Sequence, residues 1–222
     1  MQIRILCQLA PDRIFNEKKP TLFCGLEEIV YLCAKHEIRT RSMSNKETKR
    51  ILFVCLGNIC RSCTAEEVMR TILRREGLDK AIEVDSAGII SYHQGEEADP
   101  RMRTHAARRG YHITHLSRPV RTTDFEDFDL IIGMDDSNIS RLHDLAPSLE
   151  AEEKIHRMAE YCTHIVADHV PDPYYGGAQG FENVIDILED ACEGLLAVVR
   201  ERIAIKTSEG GLVVSFARLC GY

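Results

Sequence analysis

Apolar and polar positions from residue 50 onward alternate between two rhythms. Ile51-Leu52-Phe53-Val54 is an unbroken apolar run ending at Cys55, so residues 51–55 read as a buried strand. A helix is predicted to start near Ser62, and over residues 65–75 it places Val68, Met69, Ile72 and Leu73 on one face. Residues 82–86 predict a second strand, ending in Ala87-Gly88. The polar stretch SYHQGEEADPR then leads into a helix over 102–109, and the short HIT stretch, 112–114, is a candidate strand. FDLIIGM, 128–134, predicts another buried strand, followed by a helix (SNISRLHDLAP) that Asp135 or Asp136 can cap. Residues 154–161 leave helix and strand open. The longest predicted helix covers 179–203, with Phe181, Val184, Ile185, Leu188, Leu195, Leu196, Val199 and Ile203 at helical spacing. Strands separated by helices predict a parallel, right-handed α/β sandwich.

The ends break this rhythm. Residues 22–38 could form one helix faced by Leu22, Leu26, Ile29, Val30 and Cys33, and the polar TRSMSNKETKR after it reads as a linker. Residues 1–48 are therefore expected to be an N-terminal extension, a start-site artefact or disordered, with a docking or regulatory arm as the alternative. The domain is expected over 49–205 and a tail over 206–222. Hydrophobic content of 44% with 28% charged residues is ordinary for a globular fold with a real core. A net charge of −7 argues against nucleic acid or an anionic membrane as partner. No apolar run approaches the roughly 18–20 residues of a membrane span. Nine cysteines without framework spacing read as free thiols in a reducing cytoplasm.

Candidate chemistry begins where the first strand stops, at VCLGNICRS. Strand, loop and helix in that order gather backbone N–H groups and the positive end of a helix around one point. Cys55 sits at the mouth of that ring, where positive character favours the nucleophilic thiolate. Gly57 and Asn58 tolerate the left-handed backbone that turns amides inward. Arg61 offers a planar fork for two phosphoryl oxygens, and Ser62 can donate a hydrogen bond to the thiolate. A Cys-x5-Arg spacing alone is a weak signal, and a buried structural cysteine is its bland alternative.

The second feature is HVPDPYYGG. Asp172 precedes Pro173, which biases it toward an extended backbone and aims its carboxyl. A positioned carboxylic acid can protonate the leaving oxygen of a phosphate ester, then act as carboxylate on an attacking water. Tyr174 and Tyr175 offer flat walls for an aromatic group. Taken alone, Asp-Pro with Gly-Gly is only a turn. Cys60-x-x-Cys63 has no second pair to complete a tetrahedral metal site, so no metal is expected.

VCLGNICRS with a downstream DPYYGG resembles the low-molecular-weight protein tyrosine phosphatases, and the likeness covers roughly residues 49–205. DSAG (85–88), ADPR (98–101), THLSR (114–118) and FDLIIGMDDSN (128–138) fit as well. The resemblance implies a three-layer fold with a four-stranded parallel sheet flanked by helices, and no metal or cofactor. It implies Cys55 as nucleophile forming a phosphocysteine, Arg61 as phosphate clamp and Asp172 as general acid, then base. Leu56, Gly57, Asn58, Ile59, Cys60 and Ser62 complete the phosphate-binding loop. Asn58, Ser62, Ser86 and His115 match a network that shapes it. Leu56, Ile59, Tyr92, Tyr174 and Tyr175 match the substrate cleft. Cys60 matches a cysteine that can form a protective disulfide with the nucleophile. The expected substrate is a phosphotyrosine protein or an aryl phosphate, and the chain is expected to be a monomer or weak homo-oligomer.

Three departures stand out. Cys63 replaces the proline usual at the first helical turn. Tyr92 falls where many relatives carry tryptophan, and residues 161–169 are expanded. Rival readings are an arsenate reductase, which needs closely placed resolving cysteines, and a phosphoarginine phosphatase, which would suit a small polar residue at Ile59. A non-catalytic phosphate-binding module is the rival from another class, yet Cys55, Arg61 and Asp172 are all present.

Overall fold

The computed structural model describes residues 50–174 and 177–209, with side chains through residue 201. The expected extension 1–48 with its 22–38 helix, Tyr175, and the tail from residue 210 lie outside the described residues.

The apolar run at the start forms β1 (Arg50–Cys55), and helix α1 (Arg61–Arg75) follows five residues of loop. Next come β2 (Glu83–Gly88), α2 (Pro100–Arg108), the single turn α3 (Asp124–Asp127), β3 (Leu130–Gly133) and α4 (Asp136–Leu145). A second single turn, α5 (Leu149–Glu152), precedes β4 (Ile155–Arg157), and α6 (Ala178–Glu209) closes the fold. The four strands make one sheet in the order β2-β1-β3-β4, and each pairing is parallel.

Strand alternation between two covered faces explains why β3, and β1 from Ile51 onward, carry no polar side chain. Ile51, Phe53 and Cys55 of β1, with Leu130 and Ile132 of β3, join Val68, Met69, Ile72 and Leu73 of α1 and Val184, Leu188 and Leu195 of α6. Leu52, Val54 and Ile131 point the other way, onto Phe125, Phe128 and Leu142. A parallel sheet covered on both faces needs an apolar residue at every position of its central strands. Cys55 is thus the last side chain of the β1 row facing α1 and α6.

Two expectations change. His112–Thr114 forms no strand; Ile113 is buried in a third, smaller cluster with Met102, Ala106 and Phe181. The chain reaches the β2 edge only later, where Gly88 and Pro119 form an isolated bridge. Proline lacks the N–H that would continue the ladder. The fourth strand comes instead from the ambiguous stretch 154–161, which is β4 followed by a 3₁₀ turn, Met158–Tyr161. Helix α6 also runs past the expected end at Ile203 to Glu209. The turns α3 and α5 were not foreseen, because four residues are too few to show a helical period. No helix among the described residues is long and apolar enough to cross a membrane.

Candidate active site

The parallel sheet sets Cys55 at the C-terminal end of a central strand, opposite Gly88 of β2. Gly88 serves a packing need here: a Cβ on it would lie 3.1 Å from the Gly57 carbonyl carbon and from the Leu56 carbonyl oxygen. The loop can therefore lie directly on the edge of β2. Cys55 Sγ accepts the Asn58 N–H at 3.3 Å and lies 3.1 Å from Ser62 Oγ. These are the donors expected to stabilise a thiolate.

Asn58 organises the loop. Its φ of +57° is the only positive value among the described non-glycine residues. Gly57, also expected to adopt that conformation, does not; what its missing Cβ permits is the close approach of His93, whose Cδ2 would be 3.1 Å from it. The Asn58 amide donates to Ser62 Oγ and Ser86 Oγ, both at 2.9 Å. Its Oδ1 accepts the Arg118 N–H at 3.0 Å and faces His115 Nε2 at 3.0 Å. Behind them lies Glu66, which is 2% exposed and accepts from Ser86 Oγ at 2.6 Å. His115 Nδ1 lies 3.1 Å from the same Glu66 carboxylate, so both ring nitrogens face acceptors. Ser117 Oγ adds a bond to the Gly57 carbonyl at 3.0 Å.

Arg61 is buried at the first position of α1 and reaches two carboxylates. One guanidinium nitrogen donates to Asp135 at 2.5 Å and to the Val170 carbonyl at 3.2 Å; the other donates to Asp172 at 2.9 Å. Burial opposes its charge, but Cys55, Asp135 and Asp172 outweigh that and raise its pKa above the ordinary arginine value. Asp135 has a second task, accepting the Asn138 N–H at 2.8 Å as the cap of α4. The Asp172 side chain is 41% exposed, and its other oxygen accepts the Tyr174 N–H at 3.1 Å. A thiol, a buried guanidinium and a carboxyl thus converge on one point, the arrangement a phosphoryl transfer needs.

A family model described as low molecular weight phosphotyrosine protein phosphatase matches residues 50–205. The chain belongs to this family. It is 40% identical over 158 residues to the low molecular weight protein-tyrosine-phosphatase of Streptomyces coelicolor, an overlap of 70% of this chain and 96% of the relative. The crystal structure of a protein tyrosine phosphatase from Entamoeba histolytica superposes with a TM-score of 0.68 at 49% identity, covering 69% of this chain and 98% of that one. A Drosophila arginine phosphatase superposes with a TM-score of 0.63 at 32% identity, covering 67% and 96%.

Within this phosphatase fold, the expected network of Asn58, Ser62, Ser86 and His115 is assembled around Cys55. The expected walls are less closely gathered. Leu56 is exposed at the loop, Ile59 lies beside Gly57, and Tyr174 is 39% exposed under Arg101. Tyr92 is 81% exposed, and its ring lies nearly perpendicular to that of His93, with 4.9 Å between the centres. Cys60 and Cys63 are buried free thiols in the cluster between α1, α2 and α6. Burial, Asp99 and Cys55 push the Cys60 thiol far above its ordinary value, and burial does the same to Cys63. Cys63 fills space there and donates to the Cys60 carbonyl at 3.3 Å.

Sequence reasoning missed Asp135 as an Arg61 partner, Glu66 behind the network, and Ser117 and Arg118 under the loop. Asp135 was visible only as a helix cap. Glu66 lies one turn into α1, where the period of Val68, Met69, Ile72 and Leu73 marks the apolar face and says nothing of a buried carboxylate. Glu66, Asp85 and His115 offer ligand atoms within 4.8 Å of one another, the only such trio among the described residues. Each is already engaged: Glu66 by Ser86 and His115, and Asp85 by the Arg118 fork at 2.7 and 3.1 Å. This trio reads as an ion-pair cluster.

Proposed function

We propose that the protein is a protein-tyrosine-phosphatase that hydrolyses phosphotyrosine or related aryl phosphate esters through a phosphocysteine on Cys55. The observation carrying this is the convergence on Arg61: its guanidinium, first residue of the helix after the Cys55 loop, holds Asp172 at 2.9 Å. Arg61 and the loop amides take the non-bridging phosphoryl oxygens. The Cys55 thiolate attacks phosphorus, an S–P bond forms, and the P–O bond to the aryl group breaks. Asp172, as the carboxylic acid, gives its proton to the departing phenolate oxygen. Water then attacks the phosphocysteine while the Asp172 carboxylate takes its proton. The S–P bond breaks, inorganic phosphate leaves, and Ser62 and the Asn58 N–H receive the returning thiolate.

The apolar Ile59 beside the loop favours an aromatic ring over a guanidinium, which sets this reading against phosphoarginine hydrolysis. Arsenate reduction would need an accessible resolving thiol. Cys192 is fully buried, with its sulfur 3.7 Å from the Ala65 carbonyl, and the half-buried Cys162 packs against the same core. The free cysteines fit the reducing cytoplasm. Residues 1–48 fall outside the proposed catalytic unit, so removing residues 1–42 should leave kcat/KM and Tm unchanged. Release of phosphate from a phosphotyrosine peptide tests the main reading. Cys55→Ser should abolish it, by about 10⁴-fold or more, with the fold intact by circular dichroism. Parent-level turnover by Cys55→Ser, or preference for phosphoarginine, would overturn it.

A further inference from the structure

Asp172 is held from two sides, and only one side is the phosphate clamp. Arg101, in the first turn of α2, donates to the Tyr174 carbonyl at 3.1 Å. Its guanidinium carbon lies 5.2 Å from the centre of the Tyr174 ring and 5.1 Å from that of Phe181 on α6. Asp99 fixes the guanidinium as a fork, accepting Nε at 3.0 Å on one oxygen and a terminal nitrogen at 2.7 Å on the other. Asp99 in turn donates its backbone N–H to the Ile59 carbonyl in the Cys55 loop at 2.8 Å. The contacts close a ring from Ile59 through Asp99, Arg101, Tyr174 and Asp172 to Arg61.

From this ring we infer that Arg101 is a positioning residue for the general acid, a latch that registers the 172–174 segment against the Cys55 loop. The inference rests on the acid role proposed for Asp172. When Arg61 turns its fork to a phosphoryl group, it gives up its hydrogen bond to Asp172. Arg101 still ties this segment to the loop, through a carbonyl and a ring face at Tyr174. The grip is bidentate on Asp99 and lays a flat guanidinium near two rings, a geometry that the compact ammonium of lysine cannot reproduce although it carries the same charge. Arg101 never touches the phosphate in this scheme, so it sets where the proton donor stands and leaves the anion site alone.

That division gives a signature. Loss of a well-placed acid should matter most for a basic leaving group, such as the tyrosine phenolate with its unperturbed pKa of about 10. It should matter least for p-nitrophenolate, which departs without a proton more readily. In the full chain, Arg101→Ala should lower kcat/KM for a phosphotyrosine peptide about tenfold and for p-nitrophenyl phosphate less than about threefold. Inhibition by vanadate should stay at the parent value, because Arg101 lies outside the anion cradle, while the Tm should fall by a few degrees as the buried Asp99 carboxylate loses its fork. Arg101→Lys should track the alanine variant.

Equal losses on the two substrates, no loss on either, or parent behaviour in Arg101→Lys would overturn the latch. Asp172→Ala measured alongside separates the two failures. If it shows strong leaving-group dependence while Arg101→Ala shows none, the latch alone is wrong. If Asp172→Ala shows none either, the acid assignment falls and the latch falls with it.

Discussion

The Cys55 loop and the 171–174 segment meet at Arg61 but are built by opposite means. Around Cys55, the Asn58, Ser62, Ser86 and Glu66 side chains are buried, and the structure assigns each a partner on another element. The acid segment is held by charge from outside: Arg61 on one side, Arg101 on the other, with the Asp172 carboxyl open to solvent. The difference follows the chemistry. An oxyanion cradle works by being organised before charge develops, so its donors must be locked. An acid that serves first a leaving group and then a water must reach two positions, so a tether suits it better than a lock.

Removing the tethered group is the largest expected change in this comparison. Asp172→Ala should lower kcat/KM for a phosphotyrosine peptide about 10³-fold and leave vanadate binding and Tm near parent values. An equal collapse of vanadate affinity would show that the two regions are not separable. Disturbing the locked side should look different. Asn58→Ala forces an alanine into a left-handed backbone, costing about 1–2 kcal/mol, and removes the hub of the network. It should therefore lower both Tm and kcat/KM, the latter about 10²-fold by loss of preorganisation. Asn58→Gly keeps the backbone easy and loses only the side chain. If glycine recovers most of the Tm but little of the rate, network and strain are resolved; full recovery of rate would demote the network.

How much of each region could be read from the residues follows the same division. Loop chemistry is local, so Cys55, Asn58, Arg61 and Ser62 were legible in nine consecutive letters, together with the strand before and the helix after. Asp172 was legible through its proline. What stayed hidden is the long-range pairing of charged side chains: Glu66, Asp135 and Arg101 act through partners 20, 74 and 73 residues away. Sequence periodicity finds which face of a helix is apolar, and it cannot find a buried carboxylate satisfied by a distant serine and histidine. The expanded stretch before Asp172 has such an answer too. Asp190 of α6 accepts the N–H groups of Thr163, His164 and Ile165, between 2.9 and 3.2 Å. Burial opposes its charge, yet these bonds hold its carboxyl well below the usual range. Likewise β4 has only three residues, Ile155–Arg157, too few for a period of two to be seen.

Oxidation probes the locked region at a smaller scale. Peroxide should convert the Cys55 thiolate to a sulfenic acid, which condenses with a neighbouring thiol and releases water. Cys60 is the expected partner. Burial, Asp99 and Cys55 hold its thiol protonated at neutral pH, so it should not itself be the first group oxidised. Peptide mapping after mild peroxide should find Cys55 joined to Cys60, with dithiothreitol restoring activity. Cys60→Ser should then lose activity irreversibly under the same treatment. A Cys55–Cys63 link instead would mean that the residue at the usual proline position has taken over the role.

The smallest effect belongs to an outlying ring beside the Cys55 loop. Tyr92 is 81% exposed and rests edge-on against His93. A ring so open to water gives up little on losing a substrate contact, and an aromatic contact of about 0.6 kcal/mol corresponds to roughly a threefold change in affinity. Tyr92→Ala should therefore raise KM for a phosphotyrosine peptide no more than about threefold, with kcat unchanged. Tyr174, held under Arg101 and bonded through its N–H to Asp172, should behave differently. Tyr174→Ala weakens the tether itself, so its loss should appear in kcat/KM and grow with the basicity of the leaving group. A tenfold rise in KM for Tyr92→Ala would make it a true wall of the cleft, and would place binding specificity on the exposed ring that reaches the loop through His93.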